Sequence, residues 1–231
     1  MSLIPQLVFL FVVGTATYFI RKRVLRIKAN IRLGKANSIS DRGSERLRNV
    51  LLVAFGQKKM FKRLVPAILH FCIYAGFLII NLEVLEFIID GVAGTHRIFA
   101  PYLGNLYNIL MNGFEFLAVA VLFACIAFLI RRNIIRVPRF WSAEMTRWPR
   151  LDGNLILCIE IILMFAIFTM NATDQILQTR TDHYISTGTL MISASLTGLF
   201  ESLDTTTLIF VERFAWWFHI IGILGFTLYI T

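Results

Sequence analysis

The run Leu64-Val-Pro-Ala-Ile-Leu-His70-Phe-Cys-Ile-Tyr-Ala-Gly76-Phe-Leu-Ile-Ile-Asn-Leu-Glu83-Val-Leu-Glu86-Phe-Ile-Ile89 is long and apolar enough to cross a bilayer as one helix. A hydrocarbon core of ~30 Å asks for about 20 mostly apolar residues. Runs of the same kind cover 3–20, 107–130, 155–170 and 208–231. The fourth is short and is expected to extend over Asn154 or Asn171. These runs predict an all-α fold, a polytopic membrane helix bundle of about five transmembrane helices in a single membrane domain. Composition agrees: 57% of the 231 residues are hydrophobic and only 16% charged, where a soluble domain carries about 25% charged residues. In 3–20 the basic residues follow the apolar run and no A-x-A site is evident, so it reads as a retained span and not a signal peptide. Segment 185–203 is apolar but studded with Ser, Thr and Gly. It predicts a re-entrant or interface-lying helix.

The net charge of +9 has a place in this topology. Segment 21–63 holds fourteen of the 23 Lys and Arg residues, and 131–153 holds six more. Both fall on one side of a five-span chain. By the positive-inside rule that side is cytoplasmic, with the N-terminus outside and the last span heading inward. Anionic lipid headgroups account for the charge, and nucleic-acid binding is not needed. Within the first basic segment, 44–63 reads as an amphipathic surface helix with Leu47, Val50, Leu51 and Phe55 on one face. The sequence stops inside the apolar run 220–230 with no polar flank, which predicts that the helix continues beyond Thr231. Cys72, Cys125 and Cys158 are isolated in apolar runs, so neither a disulfide framework nor a cysteine-held cluster is expected in this chain.

Ionisable groups inside a bilayer are costly and point to function. His70 lies in the second span and His219 in the fifth, while His96 and His183 fall in outer loops as ordinary loop residues. Counted at 1.5 Å per residue, His70 comes roughly 20 Å and His219 roughly 17 Å below the outer face of the core. Two imidazoles at one depth on antiparallel helices could hold a haem iron between them. Gly76 and Gly222 lie near the two histidines and would let a flat ring approach the backbone. Glycines in membrane helices also serve plain helix packing. Glu83 and Glu86 share one helix face toward the outer side. A carboxyl there could relay protons released from a quinol, or hydrogen-bond a neighbouring helix. Glu115 and Glu160 are weaker candidates. Asn171-Ala-Thr173 matches a glycosylation sequon that is common by chance. Charges in 139–150 could dock a soluble partner.

His70 followed by Gly76-Phe77, with Trp216-Trp217-Phe218-His219 in the last span, resembles the membrane cytochrome b subunits of the respiratory nitrate reductase gamma type. The likeness extends to the branch associated with heterodisulfide-reductase-like iron–sulfur proteins. The stretch Phe140-Trp-Ser-Ala-Glu-Met-Thr-Arg-Trp-Pro-Arg-Leu-Asp-Gly-Asn154, followed by Leu-Ile-Leu-Cys-Ile-Glu160, is similar to the loop and fourth span of that branch. The resemblance implies residence in a bacterial inner membrane, haem b (one or two), quinone or quinol as substrate, and a cytoplasmic iron–sulfur domain or subunit as electron partner. His70 and His219 would be the axial ligands. The chain departs from the family pattern of two histidines on span two and two on span five: ten residues after His70 stands Ile80. In the two-haem pattern a partner for His70 would lie beyond Thr231. A cofactor-free membrane anchor or assembly subunit is the rival reading, and a transporter a third. No internal repeat supports a transporter.

Overall fold

A computed structural model describes residues 3–35, 41–58 and 60–231. Part of the basic segment, 36–40 and Lys59, lies outside the described residues. In chain order the helices are α1 (Leu3–Arg32), α2 (Gly43–Asn49), α3 (Leu64–Ala93), α4 (Ala100–Leu103), α5 (Asn105–Asn133), α6 (Arg147–Arg180), α7 (Met191–Leu196) and α8 (Thr205–Ile230). The described residues contain no strand. Five of the helices, α1, α3, α5, α6 and α8, are long and apolar enough to cross a membrane, as befits an integral membrane protein.

These five form a closed ring. α1 packs on α3, α3 on α5, α5 on α6, α6 on α8, and α8 returns to α1. α3 and α8 face each other across the ring without broad contact. Small residues set the close approaches. A Cβ on Gly76 would come 2.3 Å from Val121 of α5, and one on Gly222 would come 2.6 Å from Leu163 of α6. A Cβ on Gly91 would meet the Phe9 ring of α1 at 2.5 Å. Phe9 fills that notch and packs on Trp216 and Trp217 of α8, with centroids 5.5 and 5.9 Å away.

The helices outrun the apolar runs that announce them. α6 extends at both ends, taking in Asn154 and Asn171 and continuing to Arg180. Its polar C-terminal third is buried: Asn171, Thr173 and Asp174 are at most 1% exposed. The 44–63 segment is broken, with α2 passing into a π-helical turn (Val50–Phe55) and then a 3-10 turn (Met60–Lys62). Leu47, Val50, Leu51 and Phe55 are exposed. The expected helix in 185–203 shrinks to α7 and a 3-10 turn (Thr197–Leu199), folded on α6 and α5. The cause is on α5. The Glu115 carboxylate accepts from the backbone N–H of Ile192 and Ser193 at 3.0 and 3.2 Å, and Asn112 accepts from that of Met191 at 2.8 Å. These bonds satisfy orphan donors of the short helix inside the bundle, so it caps the ring instead of lying on a lipid surface.

The two ends of the ring differ in charge. At the basic end, Arg132 donates to Asn154 Oδ1 at 3.0 Å, and its guanidinium lies 4.7 Å from the Phe140 ring centre. Trp141 takes Arg136 and Arg150 against its ring at 5.1 and 4.2 Å. The opposite end carries buried acids.

Candidate functional site

Inside the ring a cleft opens between α3 and α8. One cavity of about 80 Å³ is lined by His219, Gly76, Ile80, Val121, Met164 and Phe226. A second, of about 430 Å³, lies toward the basic end and is lined by His70, Tyr74, Cys125, Phe128, Arg132 and Phe140. Both touch Ile73, Phe77, Glu160 and Phe226, so only side chains separate them.

His219 is 2% exposed. Its Nδ1 lies 3.1 Å from the carbonyl oxygen of Leu163, so this nitrogen carries the proton and donates it. The lone pair is then on Nε2. A metal-binding imidazole commonly donates its other N–H to such a carbonyl, which fixes the tautomer and aims the ring. Phe87 packs edge-on to the ring at 6.0 Å between centroids. His70 is half-buried in the wider cavity and makes no hydrogen bond among the described residues.

The two histidines do not share a depth. Phe87, which touches His219, lies seventeen residues beyond His70 on α3, roughly 25 Å along the axis at 1.5 Å per residue. The expected match counted each histidine from the end of its apolar run. α3 has 30 residues and runs to Ala93, six past Phe87, so His219 sits near the end of α3 remote from His70. Gly76 and Gly222 are occupied by helix contacts, with Val121 and Leu163 respectively.

Glu83 and Glu86 belong to a second constellation at the end opposite the basic loops. Its centre is Arg97, 4% exposed, in the turn between α3 and α4. Arg97 reaches Glu83 at 3.3 Å, Asp174 at 3.2 Å, Asn171 at 2.7 Å and the Tyr107 hydroxyl at 3.4 Å. Tyr107 in turn donates to Glu86 at 2.6 Å. Burial alone would lower the Arg97 pKa. Tyr107, Asp174, Glu83 and Glu86 outweigh it and hold the group well above the ordinary arginine value. The Arg97 backbone is left-handed, with φ 54°, a conformation few non-glycine residues adopt. Its N–H donates to Asp90 at 2.8 Å, which anchors the turn. Six carboxyl groups are buried here, Glu83, Glu86, Asp90, Glu115, Asp174 and Glu212, against the guanidiniums of Arg97 and Arg213. The acids are held by hydrogen bonds to Arg97, Tyr107 and backbone N–H groups, as buried carboxyls must be.

Sequence reasoning assigned no role to Arg97 or Asp174. The signal for Arg97 was its isolation: with Arg180 and Arg213 it stands apart from the two basic segments. Asn171 of the sequon is buried and bonded to Arg97 and Glu115, so its amide is not a surface acceptor. Arg180 donates to the carbonyl oxygens of Leu203 and Glu201 and closes the 197–204 turn. Among the described residues no group of three or more His, Cys, Asp and Glu is arranged to hold a metal ion by itself.

The chain is 26% identical over 224 residues to a probable iron-sulfur-binding oxidoreductase, FadF, of Bacillus subtilis (strain 168). The alignment takes in 97% of this chain and spans about 30% of the relative's length. No protein-family profile matches the chain. No solved structure matches it.

Proposed function

We propose that this chain is the membrane electron-transfer module of a quinone-linked oxidoreductase. It exchanges electrons between the quinone pool and iron–sulfur clusters, through haem b held in the cleft between α3 and α8. The observation that carries the reading is His219: a buried imidazole with Nδ1–H donated to a backbone carbonyl and its other nitrogen left for a metal, beside a cavity that keeps two helices apart. The donor chemistry fits a haem iron, which takes neutral imidazole as an axial ligand. His70 is the second donor, in the wider part of the cleft. Arg132 on that wall suits the acidic groups of a haem. Bound haem would supply one-electron chemistry. The protein supplies ligands, an apolar lining and ring orientation.

The clusters lie outside this chain, whose three cysteines are scattered. The similarity to an iron-sulfur-binding oxidoreductase supports such a partner, as a further domain or a separate subunit. The basic end, with Arg136, Arg139, Arg147 and Arg150, faces the cytoplasm of a bacterial inner membrane and docks it.

A reduced-minus-oxidised visible spectrum of the purified chain tests the reading. b-type bands are expected, and their absence would sink it. Single His70→Ala and His219→Ala variants then divide the ligand roles. Full loss of haem in either variant would mean one shared iron. The depth offset leads us to expect partial, separate losses, with His219→Ala removing the larger share.

A further inference from the structure

The segment between α1 and α3 carries a surface that the bundle does not use. α2 and the π-helical turn pack on each other and make no broad contact with any of the five spans. Every residue of 41–56 is exposed. Leu47, Leu51 and Phe55, spaced by four, are 60%, 54% and 59% exposed. Val50, Leu52 and Val53 beside them are exposed too. Leaving such an apolar ridge in water is unfavourable, so it calls for a cover. The ridge is also a built feature. Arg42 before α2 and Gln57 after the π-helical turn are left-handed, each with φ 50°, which few non-glycine residues adopt. The Gly56 N–H donates to the Leu51 carbonyl at 2.7 Å, and the Lys58 N–H to that of Leu52 at 3.1 Å. The Gln57 side chain donates to the Ala54 carbonyl at 2.7 Å. These bonds hold the wide turn closed, and wide turns of this kind gather at functional sites.

Position and charge say what the cover is. The ridge runs through the 3-10 turn straight into α3, and that turn is pinned low. Phe61 packs on Phe71 of α3, ring centroids 6.5 Å apart. Phe71 lies seven residues into α3, roughly 10 Å from its start. It is exposed and lines neither cavity of the cleft, so it faces outward from the ring. Phe61 therefore sits against the lipid-facing side of a span, below the level of its first turn. The charges of 41–63 are unbalanced. Its two acids, Asp41 and Glu45, both lie beside Arg42, at 3.2 and 3.9 Å. Arg48, Lys58, Lys62 and Arg63 have no carboxylate within ion-pair distance among the described residues. An apolar ridge flanked by uncompensated cations complements a leaflet of anionic phospholipid, whose chains meet the ridge and whose phosphates meet the cations.

We propose that 43–62 is a recognition element for anionic phospholipid on the basic side of the membrane. Leu47, Leu51 and Phe55 enter the acyl region of the leaflet. Arg48, Lys58 and Lys62 bind phosphodiester groups above it. The element is selective for lipid charge, because in a neutral leaflet its unpaired cations find no anion to neutralise them. Nothing in this depends on the haem reading.

The test uses the full chain in lipid nanodiscs, either all phosphatidylcholine or with phosphatidylglycerol mixed in. A polarity-sensitive dye is attached at Leu51→Cys, with Cys72→Ser and Cys158→Ser removing the reachable native thiols. Acrylamide, a neutral quencher confined to water, should quench the dye at least fivefold less in phosphatidylglycerol discs. Arg48→Glu with Lys58→Glu should abolish that difference and leave thermal unfolding unchanged, since neither side chain pairs with the bundle. Phe55→Asp should open the dye to quencher in both lipids. Hydrogen exchange of the unlabelled chain gives a second reading free of the dye. The 47–55 amides should exchange at least tenfold more slowly in phosphatidylglycerol than in phosphatidylcholine. A dye equally open to acrylamide in both lipids would overturn the proposal. Equal shielding in both lipids would reject recognition of lipid charge. Shielding that appears only when a soluble partner protein is added would assign the ridge to protein docking and overturn it as well.

Discussion

Arg97 shows how one side chain can organise the end of a membrane bundle. It is the only cation bonded to both Glu83 and Asp174 among the described residues, and it ties α3 to α6 across the ring. Removing one partner of a buried ion pair leaves the other charge uncompensated, at about 3–5 kcal/mol. Arg97→Ala should therefore lower thermal stability in detergent by that order, and a further Asp174→Asn change should recover part of the loss. Arg97→Lys should also destabilise, because an ammonium cannot reproduce the guanidinium fork that serves four acceptors. None of this was legible in the sequence, where Arg97 is one basic residue in a short polar turn. Its role depends on a left-handed backbone and on acids from two helices far apart in the chain. His219 was legible as an ionisable group in an apolar run. The carbonyl of Leu163 that orients it was not, since only the α6–α8 packing brings it there.

For the helices, the sequence marks the apolar middle of each span well and the ends poorly. Hydropathy stops α6 at Met170, because Asn171, Thr173, Asp174 and Gln178 look solvated. In the bundle they bond to Arg97, to Thr187 and to backbone carbonyls, so the helix runs on for ten residues. Packing of α1 rests on a notch that sequence could not reveal, the seat of Phe9 over Gly91. Gly91→Val would drive Phe9 out, and overpacking of this kind costs about 1–3 kcal/mol. Increased protease sensitivity of the turn after α1 is the expected readout, with Phe9→Ala in the same chain restoring protection. Unchanged cleavage in Gly91→Val would show that α1 is held by its other contacts, such as Gln6 to the Val92 carbonyl.

Taken whole, the molecule is a ring with an apolar cleft along it and opposite chemistry at its two mouths. Five spans and two basic segments were readable from apolar runs and charge placement. Ring closure was not, because it depends on which faces meet. The offset of the two histidines along that ring has an electrical meaning. An electron moving from the level of His219 to that of His70 crosses much of a ~30 Å insulator. Moving one full charge across the membrane costs or yields ~2.3 kcal/mol per 100 mV. In a vesicle negative on the basic side, inward electron flow should slow as the voltage rises and recover when an ionophore collapses it. Absorbance of any bound haem, read under an imposed potassium gradient, would measure this. The bundle would then act as a resistor spanning the membrane capacitor, charging it or drawing on it with each electron passed.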